Sequence, residues 1–117
     1  MDLPDLVHAL LAGDLLTARQ CVADAQRMNV QWEQVDQPRG LSDREMSVAA
    51  GIVELLASRA GSVPPPWTQT IGAVREPLIL DPGLDEMPRS FAHAKTAGPE
   101  PLRRRNLIAL PDFLDVA

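Results

Sequence analysis

The placement of proline constrains this chain more than any other feature. Nine of its eleven prolines follow residue 61, starting with Pro64–Pro65–Pro66 and recurring at Pro77, Pro82, Pro88, Pro99, Pro101 and Pro111. Each one removes a backbone donor and pushes the residue before it out of the helical region. The longest helix these breaks permit is Pro88–Ala97, with Gly98 to end it. Before residue 61, apolar residues recur at helical spacing instead. The expected fold is therefore mainly α. A small three-helix unit over residues 1–61 is joined to a proline-rich, largely irregular C-terminal arm over residues 62–117, which holds one or two short helices. Three helices in about 60 residues make a marginal core, so either the arm wraps over them or a second chain covers them.

The helices are read from spacing and caps. Leu3, Leu6, Val7, Leu10 and Leu11 form one stripe, with Pro4 in the first turn and Asp2 and Asp5 at its positive end. Gly13 stops that helix, and Asp14 caps a second one running to about Asn29 with Leu15, Ala18, Val22 and Ala25 on its buried face. Residues Val30–Val35 alternate weakly, as an extended connector or a strand. Ser42-x-x-Glu45 is a capping box, flanked by the staple residues Leu41 and Met46. It starts a third helix that carries Val48, Ile52, Val53, Leu55 and Leu56 to Gly61. Ala49–Ala50–Gly51 gives this helix a smooth face that another helix could approach closely, which makes a homodimer possible. In the arm, Pro77–Leu80 and Leu107–Leu110 read as edge strands or extended segments, and Phe113–Leu114 as a final apolar turn.

Charge and composition narrow the function. The net charge is −5, from 16 acidic and 11 basic residues, and there are two Trp, two Phe and no Tyr. A chain of this kind has neither the basic footprint nor the aromatic platform of an independent nucleic-acid binder. The single cysteine, Cys21, excludes an internal disulfide and suits a reducing compartment. The acidic start and the absence of any apolar stretch near ~20 residues point to a cytoplasmic protein with no membrane span.

Motifs for catalysis are missing. His8, Cys21 and His93 have no metal-site spacing, so no metal or cofactor is expected. Cys21 lies beside a helix face, where cysteine is usually a small core residue. The paired acids Asp2/Asp5, Asp43/Glu45 and Asp85/Glu86 are explained by caps and helix dipoles. No glycine-rich phosphate loop and no nucleophile elbow occurs.

Two features remain as binding candidates. The run Arg103–Arg104–Arg105 fans over roughly 200–300° if helical, so the three cannot share one face. Read structurally, it is a solvated basic turn; read functionally, it pairs with acidic groups of a partner, or with phosphate. Trp67, stiffened by the three prolines before it, either anchors the arm on the chain's own helices or serves as a hot spot for another chain. Leu107, Ile108 and Phe113 would be the accompanying apolar anchors.

The stretch Pro66–Trp67–Thr68, Pro77–Leu78, Pro99–Glu100–Pro101–Leu102–Arg103–Arg104–Arg105–Asn106 and Phe113–Leu114 resembles the tail of a group of small, poorly characterised bacterial proteins. These look like the partners encoded beside nucleotidyltransferase-like toxins. The resemblance spans residues 60–117 as short words at loose spacing. It implies an antitoxin or accessory subunit whose arm docks on an enzyme, and it assigns no catalytic residue. The expected function is thus non-catalytic protein binding that neutralises or stabilises a partner enzyme. The alternatives are a DNA-binding regulator reading with helix 42–60, and a small enzyme using Arg103–Arg105 on an anionic substrate.

Overall fold

The computed structural model describes residues 2–116. It is mainly helical, in the order α1 (Leu3–Leu11), α2 (Leu15–Arg27), α3 (Asp43–Arg59), β1 (Leu78–Ile79), α4 (Pro88–Ala97), α5 (Glu100–Arg103) and β2 (Leu107–Ile108), with single 3-10 turns at Trp32–Gln34, Pro66–Thr70 and Leu84–Glu86.

Local chemistry sets these boundaries. Asp2 caps α1 by accepting from the Asp5 amide, and Asp14 caps α2 through the Thr17 amide. The capping box at the start of α3 is complete, the Ser42 hydroxyl accepting from the Glu45 amide and the Glu45 carboxylate from the Ser42 amide. Pro88 opens α4 and Gly98 follows its end, the limits that the prolines predict. Residues 30–35 form no strand: Trp32 turns inward on a 3-10 turn and joins the core, because its bulk gains more from burial than the segment gains from alternation.

The third helix departs most from expectation. Its apolar stripe predicts one buried face, yet every residue from Ser47 to Ala57 is buried. The helix is the central post of the molecule. α1 packs on one side, and the turn at Pro66–Thr70 and α5 pack on others. The smooth face at Ala49–Ala50–Gly51 is filled from within the same chain. A methyl group on Gly51 would lie 3.0 Å from Leu102 Cδ2 and 3.1 Å from Leu107 Cδ1. That face is therefore closed to a second copy.

The division at residue 61 does not separate two structural units. Leu80, Leu102, Leu107, Ala109, Phe113 and Leu114 belong to the same buried cluster as Leu6, Val22 and Ile52. A Cα radius of gyration of 13.1 Å matches the roughly 13 Å of a compact domain of about 100 residues, far below an extended-arm value. The proline-rich half folds back because its prolines sit at turns and helix starts, leaving the apolar residues between them free to pack. β1 and β2 pair in parallel, Leu78 opposite Leu107 and Ile79 opposite Ile108, and α4 and α5 form the crossover between them. A smaller cluster of Leu84, Ala94 and Ile108 sits beneath α4.

This crossover depends on one close approach. A Cβ on Gly98 would meet the backbone oxygen of Ala109 and lie 2.6 Å from that of Ala94. Neither atom can move without displacing α4 or the end of β2. Gly98→Ala is expected to cost about 1–3 kcal/mol, whereas Gly72→Ala, where the added methyl meets nothing within 4 Å, should leave the melting temperature unchanged. Thermal melts of both variants check this.

Candidate functional site

The arginine run lies where α5 meets the end of the crossover. Pro99 and Pro101 start a single helical turn. Asn106, in the left-handed region at φ 65°, then redirects the chain into β2. The expected three-way fan is only half realised, because long side chains let two neighbours converge on one buried acid. Arg103 Nε donates to the Gly98 carbonyl at 2.6 Å. Arg104 and Arg105 turn the other way, and both donate to Glu54 Oε1 on α3.

Around Glu54 the chain builds a closed polar cluster. The carboxylate is 5% exposed and the Arg105 side chain 3%. Arg105 also donates to the carbonyls of Thr68 (2.7 Å) and Pro101 (3.1 Å), while the Thr68 hydroxyl reaches Glu54 Oε2 at 3.1 Å. Among the described residues, Arg105 Nε is the one buried side-chain nitrogen or oxygen without a hydrogen-bond partner. Burial pushes the Glu54 carboxyl upward, but the hydrogen bonds and charges of Arg104 and Arg105 outweigh it and hold the group below its ordinary value. The cluster is a clasp joining the second half of the chain to the central helix. Two further ties act alongside it: Trp67 Nε1 donates to the Val35 carbonyl at 2.8 Å, and Arg59 donates to the carbonyls of Phe113 (2.6 Å) and Pro111 (3.1 Å).

Most of the expected binding residues face inward, and they are tied to different parts of the chain. Leu107, Ile108 and Phe113 are buried in the chain's own clusters, Trp67 is half-buried against the connector after α2, and Arg105 is enclosed. Arg103 and Arg104 reach solvent, and Trp67 does so in part. The expectation that Arg104 and Arg105 reach outward overlooked Glu54. The sequence held little signal for this: on a one-sided stripe Glu54 falls opposite Ile52, Val53, Leu55 and Leu56, and only the enclosure of α3 buries it, after which a carboxylate needs a cation.

Much of α3 and two of the three arginines are engaged within the chain. Ser47–Ala57 of α3 is enclosed, so only the ends of the helix, Asp43 and Arg44 at its start and Ser58 and Arg59 at its close, are exposed. With two of the three arginines neutralised by Glu54, the run is no three-cation site for an anionic substrate. Cys21 is poorly suited to nucleophilic work, since burial and then the nearby charges of Asp5, Asp24, Asp2 and Asp14 push its thiol pKa up. His8 keeps an exposed side chain and joins α1 to α3 through a 2.8 Å contact between its Nε2 and Glu45 Oε2. Among the described residues no three His, Cys, Asp or Glu side chains are grouped to hold a metal ion, and no helix is long and apolar enough to cross a membrane.

Two surfaces remain open near these elements. Along the outer side of α2, Leu16, Ala23 and Val116 line a groove of about 520 Å³ with Arg19, Gln20 and Asp115 around it. Leu16 is 82% exposed, the most exposed large apolar side chain among the described residues. Between α4 and the end of α5 lies a crevice of about 80 Å³, lined by Pro77, Ala94, Lys95, Arg103, Asn106, Leu107 and Ile108. Comparison with known protein families, curated proteins and solved structures finds no match to this chain.

Proposed function

We propose that this chain is a non-catalytic protein-binding subunit that neutralises or stabilises a partner enzyme, in the manner of an antitoxin. The partner class implied by the resemblance of residues 60–117 is a nucleotidyltransferase-like toxin. The observation that carries the reading is the groove on α2. A highly exposed leucine shares this groove with Ala23 and Val116 and with an arginine, an amide and a carboxylate, the mixture of apolar and polar groups that protein interfaces use. Binding is then a property of the folded surface and not of a loose arm. The arm contributes its end: it supplies Asp115 and Val116 to the groove, and Arg19 Nη2 holds that end of the chain by donating to the Asp115 carbonyl at 3.2 Å.

Leu16→Asp provides the test. Because Leu16 contributes almost nothing to the core, the variant should melt like the parent. A charge at an interface centre should weaken partner binding by roughly 2 kcal/mol or more, about thirtyfold. The measurement is tagged purification of parent and variant from the source cell, followed by activity assays of the co-purified enzyme. Loss of one enzyme from the variant sample, with its activity restored on separation from the parent chain, is the expected result. Recovery of identical proteins by both chains would end the assignment of this groove.

A further inference from the structure

We infer that the crevice between α4 and α5 is a binding site for a single phosphate group, either free or carried at the end of a small molecule. The proposal is independent of the α2 groove. Its basis is an uncompensated pair of cations in an otherwise acidic chain. Lys95 and Arg103 both line the crevice, and none of the residues lining it is acidic. Neither side chain has a carboxylate within 4.0 Å, since the ion pairs among the described residues are those of His8, Arg27, Arg104 and Arg105.

Both cations are also held. The bond from Arg103 Nε to the Gly98 carbonyl fixes the plane of the guanidinium and leaves its two terminal nitrogens, the half that grips oxyanions in a fork, without a protein partner. Lys95 Nζ lies 5.4 Å from the centroid of the Phe91 ring, which steadies it over α4. The floor and walls are Pro77, Ala94, Leu107 and Ile108, the last two buried. Apolar walls lower the local dielectric and strengthen attraction to an anion at the mouth. The backbone is shaped for this arrangement: Asn106, one of three non-glycine residues with positive φ among those described, lines the same crevice. Its side-chain nitrogen sits 3.3 Å from the Val74 carbonyl and 3.4 Å from that of Arg75, which tethers the loop before β1.

Size and charge choose the ligand. A volume of about 80 Å³ admits one oxyanion and excludes a base or sugar, which would remain outside. Two cations match a phosphate dianion better than a singly charged carboxylate.

The test is a titration of the intact, isotope-labelled chain followed by amide and arginine Nε NMR signals. Inorganic phosphate and phenyl phosphate are the probes, with acetate and with sodium chloride at matched ionic strength as references. Saturable shifts confined to residues 94–95 and 103–106 are expected, with half-saturation on the order of 1 mM. Lys95→Ala should weaken binding at least about tenfold at an unchanged melting temperature, and Arg75→Ala, whose side chain lines a different cleft, should not. Equal half-saturation by the two phosphates points to free phosphate, and tighter binding of phenyl phosphate to a phosphorylated molecule. Shifts that are linear, that follow ionic strength alone, that acetate reproduces, or that survive Lys95→Ala would overturn the site.

Discussion

A chain ending at Gly61 is expected to lose cooperative folding, although it retains all three helices of the first half. The fragment keeps α1, α2 and α3 with their caps. It loses Leu80, Leu102, Leu107, Ile108, Phe113 and Leu114, all buried in the intact chain. At about 1.5–3 kcal/mol for each fully buried side chain, the loss is on the order of 10 kcal/mol, comparable with the whole stability of a small domain. The exposed side of α3 would then present apolar residues to water and leave Glu54 without its cations. The expected observations are helical far-ultraviolet dichroism of reduced amplitude, no sharp thermal transition, binding of a hydrophobic dye and concentration-dependent association. A sharp two-state melt of residues 1–61 would show instead that the first half has a core of its own.

The second large effect concerns Glu54. Glu54→Ala removes the acceptor for two arginines and leaves the enclosed Arg105 as an unpaired charge. Breaking such a pair typically costs about 3–5 kcal/mol, or a fall in melting temperature of roughly 15 °C for a chain of this size. Replacing both members, Glu54→Met with Arg105→Met, should recover much of that loss, since a buried pair is often no better than well-packed apolar residues. If the double variant is as unstable as the sum of the single ones, the pair does not act as a unit.

The same cluster sets a pH limit. Glu54 is held below its ordinary value of 4.5 by its two arginines. Glu45 is lowered by its hydrogen bonds with Ser42, and Asp14 by those with Thr17. A carboxylate with a depressed folded-state pKa contributes stability that is complete above its unfolded value and is lost as pH falls through the folded one. Stability should therefore hold down to about pH 5 and decline below it. Glu54→Gln, less stable at neutral pH, should show a shallower decline in urea unfolding at pH 3 to 6. An unchanged acid slope would remove Glu54 from the groups responsible.

Local order was legible in the residues wherever the cause was local. Asp2, Asp14 and the Ser42/Glu45 box marked three helix starts through bonds that span three positions. Pro88 and Gly98 bracketed α4 through backbone sterics instead, since no side chain caps that helix. Trp32 shows the limit even at short range, because weak alternation suggested an extended segment while burial of the indole decided for a turn. The candidate site was harder to read. The three arginines stood out, but which of them faces solvent depends on Glu54, about fifty positions earlier in the chain.

By itself, then, the sequence determined the helical class, the helix ends and the absence of long elements after residue 61. Each follows from backbone sterics, capping or the helical repeat, which act over a few residues. Only the tertiary structure decided that the proline-rich half completes the core, that Ser47–Ala57 of α3 is enclosed, and that Arg103 stays outside while Arg105 is shut in. Those outcomes arise from apolar area and charge meeting across long stretches of chain, where a marginal three-helix core and a segment unable to form long helices bury each other.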